Sequence, residues 1–189
     1  MPDRSAASQA VAPQGTSATR HGIRRAVPTD AAAIASISVR AWQVAYRGLL
    51  PDAYLDGLSV AERRSAWHHY LVRELTGYRM WVLEDEARVI GFTRTGPCFD
   101  AGIEPHTGQI FGLYVDPDRL AEGFGRRLLG HGLEDLRNRG YRHAIVWAFA
   151  GNDRAARLFA SVGSRPDGTT RAFHALDDEV TELRYRIHL

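Results

Sequence analysis

The sequence predicts a mixed α/β fold: a single domain with one central, mostly antiparallel sheet flanked by helices. Three observations carry that prediction. First, residues 110–115 (Ile-Phe-Gly-Leu-Tyr-Val) form a run of six with five apolar side chains, which reads as a strand buried on both faces. Asp116-Pro117 halts it, because proline has no N–H to give to a ladder. Gly123 and Gly125 then open a helix with Phe124, Leu128, Leu129, Leu133 and Leu136 at helical spacing. Second, three strand-like runs, 79–84, 88–95 and 110–115, follow one another with no helix between them, so they should pair antiparallel. Third, another doubly buried run, His143–Phe149, follows the helix, so 110–149 should be a parallel, right-handed crossover.

The elements follow in order. Residues 1–20 are rich in Ala, Ser, Thr, Gln and Pro and should form a disordered tail, leaving 21–189 for the folded domain. A short strand is expected at 23–27. Pro28-Thr29-Asp30 starts a helix with Thr29 or Asp30 as its cap and an apolar stripe of Ile34, Ile37, Ala41, Val44 and Ala45. Trp42 and Tyr46 lie near its end, and Gly48-Leu-Leu-Pro51 breaks it. Ser59 caps a second helix, with Glu62 three residues on and a stripe of Trp67, Tyr70, Leu71 and Leu75. Glu84 to Ala87 is a tight turn, and 96–108 a loop. Asn138-Arg-Gly140 ends the long helix. Gly151-Asn152-Asp153 begins a short helix that Gly163 ends, and two closing strands fit near 170–174 and 181–188.

Composition removes several kinds of chemistry. All 24 basic residues are arginine, which excludes a Schiff-base or lysine-nucleophile mechanism and the lysine of a P-loop. Cys98 is the only cysteine, so no internal disulfide can form, and the scattered histidines give no ordered ligand set, so no metal is expected. A net charge of +2 is too small for a dedicated nucleic-acid binder. No apolar run reaches a membrane span and the first 20 residues lack the core of a secretory signal, so a cytoplasmic location is expected.

A strand, a glycine turn and a helix start make an anion cradle. The first-turn N–H groups have no partner within the helix, and the dipole is positive there. Asn152 reads first as a helix cap and Phe159 as core.

The spacing Leu113-Tyr-Val-Asp-Pro-Asp-x-x-x-x-Gly123-Phe-Gly125-Arg-Arg-Leu-Leu, followed by Asn152-Asp-Arg-Ala155-Ala-Arg-Leu-Phe159, resembles the GCN5-related N-acetyltransferase (GNAT) family. Trp42-x-x-x-Tyr46-Arg-Gly-Leu-Leu-Pro51 is similar to a first-helix segment of many bacterial members. The resemblance covers about residues 22–189 and implies an acetyl-CoA-dependent N-acetyltransferase of a bacterium. It implies that the acceptor amine, on a small molecule or a protein, attacks the thioester directly. It leaves a homodimer open. Backbone groups of Leu113, Tyr114 and Val115 would pair with pantetheine, and the Leu113 or Tyr114 N–H would meet the oxyanion. Amides of Ala121, Glu122, Gly123, Phe124, Gly125 and Arg126 would hold the pyrophosphate, and Asn152 and Phe159 would border the cofactor. Glu122 sits beside the expected diphosphate, with Arg126 and Arg127 to offset it. Phe159 stands where many members carry an acidic tyrosine, and Gln109 where some carry a glutamate base. That leaves His106, Glu84 and Glu104 as candidate catalytic bases, each with a plain reading as a loop or turn residue. Two rivals stay open: a non-catalytic acyl-CoA-binding regulator and a nucleic-acid module using Arg137, Arg139 and Arg142.

Overall fold

The computed structural model describes residues 21–73 and 75–189, so the tail expected at 1–20 lies outside the described residues. The strands are β1 (Gly22–Arg25), β2 (Arg79–Asp85), β3 (Arg88–Pro97), β4 (Thr107–Val115), β5 (His143–Phe149), β6 (Arg165–Ala175) and β7 (Asp178–His188). The helices are α1 (Ala31–Ala45), α2 (Asp52–Asp56), α3 (Val60–Arg73), α4 (Phe124–Asn138) and α5 (Asp153–Ala160). All seven strands form one sheet in the order β1-β2-β3-β4-β5-β7-β6. Only β4 and β5 are parallel neighbours; every other pair is antiparallel.

Side chains alternate along a strand, so the sheet has two apolar faces. Val82 points to one, where Ile34, Ile37 and Leu71 of α1 and α3 cover Phe92. Its neighbour Leu83 points to the other, against Leu128 and Phe124 of α4. On that second face Leu129, Leu133 and Leu136 meet Val146, Phe159, Tyr185 and Ile187. Two buried carboxylates tie the layers. Asp135 of α4 accepts from the Thr95 hydroxyl at 2.6 Å and from Arg79 at 2.6 Å. Asp116, at the end of β4, accepts from Arg40 of α1 at 2.8 Å and from the Asp118 N–H at 3.1 Å, which fixes the chain where Pro117 ends the strand.

The sheet opens at its centre. β4 and β5 pair only over 107–110 against 143–146. Beyond that point they diverge. The cause lies in β4: Arg94 faces Gly112 while Thr95 faces Ile110, so Phe111 has no partner across β3. Such a bulge bends the strand that carries it.

Several elements differ from the sequence expectation. β4 begins at Thr107 and β3 runs to Pro97, so the loop between them is shorter than 96–108. Asp30 holds the N-cap position of α1, but its side chain makes no capping hydrogen bond. It lies in a 3₁₀ turn, is buried, and accepts from the Val27 N–H at 2.8 Å and from Arg24 at 2.7 Å. Ser59 does cap α3, accepting the Glu62 N–H at 3.2 Å. Leu75 lies past the end of α3 and is exposed. The five-residue α2 was not expected, and β6 and β7 are longer than the two short strands predicted.

Candidate functional site

A cavity of about 1000 Å³ occupies the opening between β4 and β5. Its walls come from both faces of the sheet. Leu158 and Phe159 of α5 and Gly125 and Arg126 of α4 line one end; Trp42 of α1, Tyr46 just past its end, Phe173 of β6 and Glu182 of β7 line the other. The cavity therefore runs through the sheet. This explains why residues 111–114 are only partly buried although their sequence reads as fully interior.

At the first end the chain leaves β4 through a 3₁₀ turn, Pro117–Arg119, and enters α4 at Gly123. Ala121 has φ of 67° and Gly123 φ of 84°, both in the left-handed region. For glycine that is free of strain; for Ala121 it carries a backbone cost. Among the described residues, the N–H groups of residues 121–126 donate to no backbone or side-chain acceptor, and the first intrahelical bond comes from the Arg127 N–H to the Gly123 carbonyl. Six unpaired amides lie at this helix start, and five of their residues, Ala121 and 123–126, wall the cavity, an arrangement that fits a diphosphate.

Glu122 does not wall this cavity. Arg119 holds both its oxygens, at 2.8 and 2.9 Å, and reaches Asp85 at 2.6 Å as well. Its hydrogen bonds with Arg119 hold the Glu122 carboxyl below its usual range. The Glu122 charge expected to repel a diphosphate is thus paired with Arg119; Arg126 walls the cavity, and Arg127 donates to the His21 carbonyl.

Along the opening the backbone of β4 alternates. The Asp116 N–H donates to Ile90 of β3, so Tyr114 and Gly112 also pair with β3, and Leu113 and Val115 turn their peptide groups toward the gap. Of the three residues expected to meet pantetheine, two present backbone groups there. Tyr114 contributes its side chain: its hydroxyl accepts from the Trp42 indole N–H at 3.1 Å. Burial pushes the phenols of Tyr114 and Tyr46 well above their usual range, so both stay neutral. Asn152 caps α5, its side-chain oxygen accepting the Ala155 N–H at 3.1 Å, and the residue lines the cavity. Phe159 is buried against Tyr185 with ring centroids 5.0 Å apart, and also borders the cavity.

The structure brings none of the three candidate bases to this cavity. Glu84 takes the Arg24 guanidinium at 2.6 Å on the β1–β2 side. Glu104 is exposed and binds Arg186 at 2.5 Å and His143 at 3.3 Å. His106 lies at the closed end of the β4–β5 pair, where its carbonyl accepts the Arg142 N–H. Gln109 does line the cavity, as does Glu182, which the sequence reading passed over. The sequence held no signal for Glu182, which sits in phase with the polar positions of the alternating run Glu182-Leu-Arg-Tyr-Arg-Ile187.

A profile of the Acetyltransferase (GNAT) family matches residues 32–163. The chain belongs to that family. As a member it is an acetyl-CoA-dependent N-acetyltransferase. It is 31% identical over 131 residues to the uncharacterized N-acetyltransferase YuaI of Bacillus subtilis (strain 168), covering 69% of this chain and 72% of that one. It is 30% identical over 141 residues to the L-amino acid N-acyltransferase MnaT of Escherichia coli (strain K12), covering 75% and 77%. It spans a smaller part of the mycothiol acetyltransferases, 43% of that from Rhodococcus jostii (strain RHA1). Among solved structures, the ribosomal-protein-alanine N-acetyltransferase of Brucella melitensis superposes with a TM-score of 0.69 at 25% identity, over 88% of this chain and 99% of that one. The PaiA N-acetyltransferase of Thermoplasma acidophilum, solved with coenzyme A, shares the fold with a TM-score of 0.72 at 14% identity, over 90% and 99%. The acetyltransferase expected from the glycine turn is therefore what the family match shows, and the relatives named are transferases.

Proposed function

We propose that this acetyltransferase lays acetyl-CoA through the opening between β4 and β5 and passes the acetyl group to a primary amine that approaches from the α1 side. The observation that carries this reading is the continuity of one cavity from the free amides of residues 121–126 to the aromatic wall around Trp42 and Tyr46. The amides and Arg126 hold the diphosphate. The Leu113 and Val115 peptide groups pair with pantetheine as an added strand would, which continues β4 where β5 leaves it. The Leu113 N–H is the donor placed to stabilise the oxyanion formed when the amine attacks the thioester carbonyl. The carbon–sulfur bond then breaks, its electron pair leaves with sulfur, and a proton lost by the amine neutralises the thiolate.

The relatives mark two classes of acceptor: MnaT is named for L-amino acids and the Brucella protein for a ribosomal-protein alanine. Among the described residues no helix is long and apolar enough to cross a membrane. The reading places the protein in a bacterial cytoplasm, with a homodimer as one form. A thiol-release assay with acetyl-CoA and a panel of small amines and N-terminal peptides tests it. Amine-dependent release of coenzyme A is the expected result; tight coenzyme A binding with no turnover on any amine would instead support the regulator.

A further inference from the structure

We propose that the acceptor is an α-amino acid, with its carboxylate held by Arg171 and its ammonium by Glu182. This deepens the function proposed above and rests on it.

Arg171 of β6, Glu182 of β7 and Phe149 of β5 are direct cross-strand partners, so their side chains stand in one row on one face of the sheet. That row walls the cavity at the end away from the diphosphate cradle. The two charged groups are joined by a single bond, from Arg171 Nε to Glu182 Oε2 at 2.6 Å. Among the described residues the two terminal nitrogens of Arg171 and the Oε1 of Glu182 take no hydrogen-bond partner. The Arg171 guanidinium lies 4.3 Å from the Trp147 ring, which fixes its plane, and its side chain is 46% exposed, open to a ligand. The Glu182 side chain is 13% exposed. The next cation on this face, Arg184, is already bound to Asp167 at 2.8 Å and to the Thr169 hydroxyl at 2.8 Å, so it does not compete.

A free guanidinium edge is built for a carboxylate, which it grips through two parallel bonds. The neighbouring carboxylate oxygen suits an ammonium. An α-amino acid carries both groups one carbon apart and adds no net charge to the chamber, so neither protein charge loses its partner. A simple amine fills only the Glu182 half. A protein N-terminus offers an amide where the carboxylate belongs. Phe149, in ring contact with both Tyr46 and Phe173, makes with them an apolar wall for the acceptor side chain.

The test uses the full-length protein, saturating acetyl-CoA, and L-phenylalanine, L-leucine and L-methionine, each beside its α-amide and its decarboxylated amine. The wild type should show kcat/KM at least tenfold higher for a free acid than for its amide or amine. In Arg171→Gln that ratio should fall close to one, chiefly through the KM of the acid, while coenzyme A affinity by calorimetry stays within twofold. In Glu182→Gln, KM should rise for all three forms of an acceptor. Wild-type rates equal for acid and amide, or highest for amides, overturn the proposal while normal coenzyme A binding leaves the function standing. Absence of coenzyme A binding in the wild type overturns both.

Discussion

The two ends of the cavity are built by different means. At the cradle the donors are chiefly peptide N–H groups of consecutive residues, set by the backbone conformation of one turn. At the acceptor end the walls are side chains from α1, β5, β6 and β7, brought together by strand pairing across the sheet. A backbone site needs only a local turn geometry. A side-chain site needs a tertiary register, and each chemical change in it alters what binds. The first suits a donor common to a family, and the second an acceptor that differs among members.

Four substitutions separate these regions, in descending order of effect. Asp135→Ala serves as the control, because Asp135 lies in neither end. Losing one partner of this buried network should cost about 3 kcal/mol of stability, seen in chemical denaturation, with coenzyme A affinity of the folded protein unchanged. A pH dependence accompanies it. Burial pushes the Asp135 carboxyl up, but the Thr95 hydroxyl and Arg79 outweigh this and hold it below its usual range. A carboxylate with a depressed folded pKa stabilises above its unfolded pKa and loses that contribution as pH falls through the folded one. The stability gap between wild type and variant should therefore be full at pH 7 and narrow progressively below about pH 4.

Gly125→Asp attacks the cradle. A β-carbon there meets nothing nearer than Leu158 Cδ2 at 3.7 Å, so the fold accepts it, but its carboxylate occupies diphosphate space. Coenzyme A affinity by calorimetry should drop at least about a hundredfold, or about 2.8 kcal/mol; an unchanged affinity would count against the site. Arg119→Ala sharpens the same point by freeing Glu122. It should weaken coenzyme A binding about tenfold, on the usual scale for coupling between neighbouring charges, and Glu122→Ala in that background should restore most of it. At the other end, Trp42→Phe removes the N–H given to the Tyr114 hydroxyl. It should raise the acceptor KM about fivefold, the worth of one hydrogen bond, and leave coenzyme A affinity alone.

The same contrast decides what was legible in the sequence. β5 was predicted with its observed ends, because His143–Phe149 is apolar on both sides and bounded by turns. The glycine turn into α4 was legible because Gly123 and Gly125 follow a strand stop at fixed spacing. The start of β4 was not, because Thr107, Gly108 and Gln109 look polar. A β-carbon at Gly108 would come within 2.7 Å of Leu136 Cδ2, so close helix packing favours glycine where strand propensity does not. Asp30 read as a cap by residue type, but a tertiary partner, Arg24, took its carboxylate. Glu182 and Arg171 were invisible together because they are eleven residues apart and meet only through the β6–β7 register, which itself shifts between Pro166 and Thr170. Glu84 was attractive as a strand-end carboxylate, but it is paired with Arg24 at the β1–β2 side; Glu104 and His106 belong to the loop that feeds β4 at its closed end, away from the opening.

The most direct measurement is of the cradle amides themselves. In ¹H–¹⁵N correlation spectra of the labelled protein titrated with coenzyme A, the N–H signals of residues 121–126 should show the largest shifts, downfield as each gains an acceptor, with Leu113 and Val115 following. Signals of Glu84, Glu104 and His106 should scarcely move. Shifts confined to those three residues, with 121–126 unmoved at saturating ligand, would contradict the account.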